Sequence, residues 1–363
     1  MGGAPEDLRR QVRALAVSGL PLDELWRRTD ALLRRSVPWD VSAWGTVDPA
    51  TLLSTSCLVL GAAYDLDREL AVFALEHDDR EPLRLLDLAA SACPAGSLQE
   101  ATGGRPETAP RYGRVLQPLG LVDDLRVALV RGGVCWGSLY AYRRGAAFAP
   151  ADVQLLAALS EDLADAVRLT LLRDAAVDPV GQDEEQSPGL LLVAPDGTVT
   201  AATAPGRRWL AALRGPGGHL PAAVTALATS LRAADPGPAS ARLQVADGRW
   251  AVLHASVLPD GGCAVIAELA RPVVVAEVLA AAYGFTARER EVVGLLLRGS
   301  GNRAIAGQLG ISEHTVKEHV TSVFAKAGVQ SRAELAATLL REQYLPRRGV
   351  VAPGPTGFFR ASA

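Results

Sequence analysis

Of the 37 basic residues in this 363-residue chain only two are lysines, Lys317 and Lys326, and both fall on one predicted helix spanning 313–327. Cationic side chains gathered on one short amphipathic helix suit contact with a polyanion rather than the making of bonds. Lys317 alone has a plainer reading as a solvated helix lysine; the confinement of both lysines to one helix favours the polyanion. Bond-making chemistry has no comparable candidate. There is no Ser-His-Asp elbow, no P-loop and no metal-ligand spacing, and Gly215-Pro216-Gly217-Gly218 reads as a loop. Cys57, Cys93, Cys135 and Cys263 stand too far apart for a zinc site or a disulfide framework and read as buried or inert thiols of a reducing compartment. The chain is therefore expected not to be an enzyme and to need neither cofactor nor metal.

Charge is distributed in keeping with a polyanion at one end only. Residues 286–343 carry a net +2, the tail 344–363 adds three arginines and no acid, and residues 1–285 carry a net −8 within an overall −3. A basic end on an acidic body fits a carboxyl-terminal unit that touches a polyanion while the rest does not. The hydrophobic fraction of 49% and charged fraction of 21% are those of ordinary globular chains with a sizeable core. No run approaches the roughly eighteen apolar residues of a membrane span, and Met1 to Arg10 lacks a signal-peptide core, so a cytoplasmic protein is expected.

The elements that must position the two lysines are legible from caps and periodicity. Thr286 and Glu289 have the spacing of a capping box, with Val292, Val293 and Leu296 on one helical face, ending before Gly299-Ser300-Gly301. A second helix runs from Asn302 to Leu309 with Ile305, Ala306 and Leu309 inward and Arg303 outward. In Gly310-Ile311-Ser312 glycine permits the left-handed backbone of a sharp reversal, Ile311 plugs the core and Ser312 caps the next helix. That third helix, Glu313 to Ala327, buries Val316, Val320, Val323 and Ala327 and shows His314, Lys317, Glu318 and Thr321. Ser331 and Glu334 form a second capping box, opening a fourth helix through Gln343 with Leu335 and Leu339 on one side.

Helices joined by a glycine turn in this way place one helix in the major groove of DNA and its predecessor across the backbone. The stretches Phe285 to Val292, Gly301 to Ala306, Leu309 to Ser312, Thr315 to Val320 and Lys326 to Leu335 closely resemble the LuxR-type helix-turn-helix. The resemblance implies that Thr315 and Lys317 contact phosphate or base edges, that Lys326 and Arg332 are basic positions near the DNA, and that Arg303 meets a phosphate. Glu318 and Thr321 stand where many members carry an apolar or basic residue, which implies a different base preference, and Ala304 replaces a frequent acidic residue. Ser312, Ser331 and Thr286 read mainly as caps with any phosphate contact secondary. His314 is left open between the two roles, and His319 reads as structural.

Upstream, a helical stretch over 8–36 with a break near Gly19-Leu20-Pro21 leads to strands at Trp39–Val47 and Leu52–Val59 about Asp48-Pro49. A helical stretch over 65–91, a loop-rich segment over Cys93–Pro110, a hairpin at Arg131-Gly132-Gly133 and a long amphipathic helix over Ala149–Leu172 follow. This layout is similar to a GAF domain, which implies a sensory, dimerising module with a small-molecule effector. Beyond the polar break at 174–188, the order β-β-α-α-β-β-β resembles a small PAS domain. It reads as a degenerate version rather than a cofactor-holding one, since His219 and His254 read as surface or core residues.

The expected fold is multidomain: an α+β GAF-like sensory domain over 8–173, a linker over 174–188, a small α+β PAS-like domain over 189–270, a connector helix over 271–284, an all-α four-helix LuxR-type domain over 285–345 and a disordered tail over 346–363. The expected function is transcriptional regulation: the sensory region controls a head that reads double-stranded DNA as a homodimer, with a small-molecule effector and RNA polymerase as further partners. The dimer surfaces are expected at the fourth helix of the head and at Ala149–Leu172. The rival reading is a ligand-binding or protein-interaction protein whose head docks to protein instead of DNA. A receiver-type phosphoacceptor region is disfavoured, since no lysine precedes Lys317.

Overall fold

A computed structural model describes residues 3–63, 65–175, 187–213, 220–233, 239–245 and 248–344. These divide into two compact units, the first made of the described residues up to Arg173 and from 187 to Leu269, the second of 174–175 and those from Ala270 on. The first opens with α1 (Gly3–Ala16) and α2 (Leu22–Leu33), parted where Gly19 takes a φ of 73° and Pro21 begins the next helix. There follow β1 (Val41–Val47), β2 (Ser54–Leu60), α3 (Leu66–Leu75), α4 (Leu85–Ala90), β3 (Ala95–Ser97), α5 (Leu98–Ala101), β4 (Asp123–Arg131), β5 (Val134–Arg143) and α6 (Pro150–Ala175). The strands form one antiparallel sheet in the order β2-β1-β5-β4-β3. Gly132 and Gly133, at φ 57° and 75°, fill the two-residue turn between β4 and β5, a turn whose twist matches the strands but which excludes most side chains.

Two details of this sheet differ from the sequence reading. The loop-rich segment contains β3, an edge strand of three small residues that gives no alternation to read. The helical stretch over 65–91 is two helices, and the Glu76 carboxylate holds the break by accepting the Leu85 amide at 2.7 Å.

Helices α2 and α6 close one face. Trp26 of α2 stacks on Trp44 of β1 with ring centroids 4.8 Å apart. Ser160 of α6 donates to the Ala128 carbonyl of β4 at 2.7 Å and accepts the Val130 amide at 3.0 Å, while Arg9 and Arg13 of α1 hold the buried carboxylate of Asp162. The apolar stripe Leu156, Leu159, Leu163 and Val167 is thus buried inside its own chain. An apolar stripe must be covered, and for these residues the cover is the same chain's sheet, while Leu155, Leu169 and Leu171 of α6 stay half-buried.

The second sheet comprises β6 (Gly189–Val193), β7 (Val199–Ala202), β8 (Ser240–Gln244), β9 (Trp250–Val257) and β10 (Cys263–Leu269), with α7 (Ala204–Leu213) and α8 (Ala222–Leu231) before β8. Its order is β7-β6-β10-β9-β8, all antiparallel, so in both sheets the first strand lies between the second and the last. This matches the expected α+β layout of both regions. Residues 222–230 of α8 are all buried, because the helix lies between β8 and β9 on one side and α3 and β2 on the other. Asp48, buried in the β1–β2 connection, accepts the backbone amide of Arg242 at 2.8 Å and its guanidinium at 2.6 Å, tying β8 to the first sheet.

Cys135 and Cys263 are buried, Cys57 and Cys93 are accessible, and none is bonded to another. His254 is half exposed with Glu268 3.5 Å away. His219, the glycine-rich loop 215–218, most of the linker and the tail 346–363 lie outside the described residues. No helix among the described residues is long and apolar enough to cross a membrane.

The second unit is helical: α9 (Pro272–Ala282), α10 (Ala287–Leu297), α11 (Asn302–Leu309), α12 (Glu313–Ala327) and α13 (Arg332–Tyr344). Val292, Leu296, Ile305, Val316, Val323 and Leu335 are buried in its core, at the positions the periodicity assigns inward, while Val320 and Ala327 are only half-buried. Gly310 ends α11 at φ 64°, and a Cβ there would meet nothing within 4 Å, so its only obstacle is the left-handed backbone. Gly310→Ala is expected to cost about 1 kcal/mol of head stability, read as faster amide exchange across α11 and α12.

Candidate functional site

Helix α12 is positioned by caps at both ends and by packing on α10 and α11. The Ser312 hydroxyl accepts the Thr315 amide at 3.0 Å and lies 2.9 Å from the Thr315 hydroxyl, and Gly328 at φ 67° ends the helix. With Val316 and Val323 turned into the core, His314, Lys317, Glu318 and Thr321 share the exposed side at successive helical turns. Thr315 is half-buried beside them. Along this side His314 Nε2 is 3.5 Å from Glu318 Oε1, and the Thr321 hydroxyl donates to the Lys317 carbonyl at 3.0 Å. The Lys317 ammonium has no hydrogen-bond or ion-pair partner among the described residues, and the same holds for the exposed Arg303 guanidinium on α11. Two uncommitted cations and the open first turn of α12, with its positive dipole end, form a surface suited to anionic oxygens.

The other two expected cations are placed differently. Lys326 turns back between α10 and α12, where its ammonium donates to Glu289 Oε2 at 2.6 Å and to the Gly284 carbonyl at 3.2 Å. Arg332 donates to the Ser300 carbonyl at 3.0 Å and to Asn302 Oδ1, pinning the start of α13 to the loop before α11. Both side chains fix the arrangement of helices. Sequence alone shows that a residue is cationic; it does not show whether its partner is a phosphate or a carboxylate of the same chain.

Glu289 is the functional support that the sequence reading only half found. Its expected capping box is present, with Glu289 Oε2 accepting the Thr286 amide at 2.6 Å and the Thr286 hydroxyl accepting the Glu289 amide at 3.2 Å. The same carboxylate also accepts the Ser322 hydroxyl at 2.6 Å besides Lys326, so a residue 3% exposed joins the C-terminal half of α12 to α10. Burial pushes its carboxyl up, but the hydrogen bonds from Lys326, Ser322 and the Thr286 amide outweigh that and bring it down to about 2. In the second capping box Ser331 accepts the Glu334 amide, while Glu334 reaches the Gln330 amide rather than that of Ser331.

The first unit holds a cavity of about 630 Å³ against the sheet face opposite α2 and α6. Val41, Ala43 and Val47 of β1, Val59 of β2 and Tyr140 of β5 form its floor, and Val72 of α3 stands in its wall. A volume of this size accepts a small organic molecule.

The family described as "Bacterial regulatory proteins, luxR family" matches residues 284–339. The monoamine regulon transcriptional regulator of Klebsiella aerogenes is 50% identical over 52 residues, 14% of this chain and 23% of that protein. The spore germination protein GerE of Bacillus subtilis is 43% identical over 56 residues, 15% of this chain and 76% of that protein. The chain thus spans about a quarter of the Klebsiella regulator and three quarters of GerE. Among solved structures, Escherichia coli SdiA is similar at 13% identity, with a TM-score of 0.32 over 93% of this chain and 97% of that one.

Proposed function

As the chain belongs to the luxR family of bacterial regulatory proteins through its last helices, we propose that it is a transcriptional regulator whose α12 enters the major groove of double-stranded DNA under the control of the two-sheet unit. The observation that carries this reading is the exposed side of α12, where Lys317 stands without a partner among the described residues on a helix packed from behind. Lys317 and Thr315 contact phosphate or base edges, Arg303 grips a phosphate, and Ser312 with the first turn of α12 receives another. Glu318 accepts from a cytosine amino group, with His314 and Thr321 flanking it. Lys326 and Arg332, basic positions near the DNA, support this surface from within the head.

Few phosphate contacts per head mean low affinity, so a homodimer on two half-sites supplies the rest. The dimer surfaces are α13, where Ala333 and Ala337, exposed one turn apart, allow close approach of a second copy, and α6, through its half-buried leucines. The first sheet acts as the GAF-like sensory domain, its cavity holding a small-molecule effector, and residues 189–270 act as a PAS-like domain. The reading requires no catalysis, puts the protein in the cytoplasm with its DNA, and lets a promoter-bound dimer touch RNA polymerase.

The test is titration of the whole protein with duplex DNA at two salt concentrations. Binding that falls steeply with salt is expected; binding indifferent to salt, or none on any duplex, would favour a head that docks to protein.

A further inference from the structure

The cavity on the first sheet is not closed by that sheet's own elements. Ala226 of α8, a helix of the second sheet, forms part of its wall. Leu53, which follows the turn after β1, also lines the cavity, yet it is buried in the hydrophobic core of the second sheet, and Phe73 of α3 packs against that same core while facing the cavity. The Asp48–Arg242 clamp lies next to this seam and fixes β8 against the β1–β2 connection. Building on the sensory role given above to the two-sheet unit, we propose that the cavity is a composite ligand site, completed by α8, and that it takes an uncharged, predominantly apolar small molecule.

The chemistry of the lining sets the ligand class. The sheet floor is aliphatic and aromatic, so a charge of either sign loses its hydration on entry. The two arginines that line the cavity are committed: Arg68 to Asp65 at 3.4 Å, and Arg84 to Asp79 and Asp87. Carboxylates are present as well, with Glu69 on α3 and Glu76 just beyond it, the latter already bound by Arg126. An anionic ligand therefore meets acids, and the remaining basic lining residue, His77, is disfavoured as a cation because burial lowers its imidazole. Cys57 agrees with this picture: its accessible surface is cavity wall, and burial together with Glu69 pushes its thiol up to about 12, so the site disfavours a new negative charge. Neutral donors and acceptors still find Ser56, Ser138 and the Tyr140 hydroxyl for orientation.

The test uses two dyes of one skeleton, neutral N-phenyl-1-naphthylamine and anionic 1-anilinonaphthalene-8-sulfonate, titrated into the whole protein without DNA. Saturable binding of the neutral dye is expected, with the sulfonate at least about tenfold weaker. Ala226→Phe from the α8 side and Ala62→Phe from the first-sheet side are each expected to weaken the neutral dye about tenfold or more by filling the space. Should Ala226→Phe fail to fold, Ala226→Cys adds almost no volume, and alkylation of the introduced thiol should slow about fivefold or more when the neutral dye is bound. Equal binding of both dyes overturns the ligand class. Loss in Ala62→Phe with full binding in Ala226→Phe, or no protection of the introduced thiol, overturns the shared wall, and absence of saturable binding overturns both. Since DNA takes no part in these readouts, their failure is separable from failure of the regulator reading.

Discussion

Lys317→Ala in the whole protein is expected to weaken binding to duplex DNA by roughly a hundredfold, because each head of a dimer loses one charge-assisted contact and two such losses amount to about 3 kcal/mol. The slope of log affinity against log salt should become shallower by about 2, one released counterion per head. Stability should not change measurably, since the ammonium is exposed and has no partner among the described residues. The contrast is Lys326→Ala on the same helix. Its ammonium is committed to Glu289 and Gly284, so its loss should lower head stability while leaving the salt slope near that of the parent. Affinity and salt slope for Lys317→Ala indistinguishable from the parent would remove the reading of α12 as the groove helix.

Glu289→Ala should destabilise the head strongly, by about 3 kcal/mol. It leaves the Thr286 amide, the Ser322 hydroxyl and the Lys326 ammonium without their common acceptor, and the 35% exposure of the Lys326 side chain lets water recover only part of the loss. Because the Glu289 carboxyl is lowered to about 2 when folded, its contribution is complete above the ordinary glutamate range near pH 4.5 and fades as pH falls towards 2. The head of the parent protein should therefore weaken over that acid window, and Glu289→Gln should lack this dependence. All six tryptophans precede residue 270, so indole fluorescence does not report on the head. Amide exchange across α10 and α12 does. A parent and a Glu289→Ala protein with equal exchange at pH 7 would show that the carboxylate is not the anchor described.

Much of this arrangement is legible locally. Caps at Thr286 and Ser312, glycines at 310 and 328, and the spacing of Val316 and Val323 determine the helices of the head without reference to distant residues, and the Gly132-Gly133 turn does the same for β4 and β5. Partnerships across long sequence separation are not legible in this way. Lys326 and Lys317 have the same formal charge and lie on the same helix, and only the burial of Glu289 separates their roles. The stripe on α6 announces a need for cover without saying that β4 and α1 provide it. Helix α8 mixes small apolar and hydroxyl residues on every side and so shows no face, because two sheets bury it from both sides; its place in the cavity wall follows from that enclosure.

The burial of Asp48 against Arg242 also determines where the polypeptide can be divided. A fragment beginning at Gly189 would retain the whole second sheet in sequence, yet it would lose the Asp48 carboxylate that Arg242 meets and present the bare flank of α8 to water, having lost Leu53 and Phe73. Such a piece would be sticky and prone to precipitate, so truncation studies and protease mapping should treat everything up to Leu269 as a single excisable block.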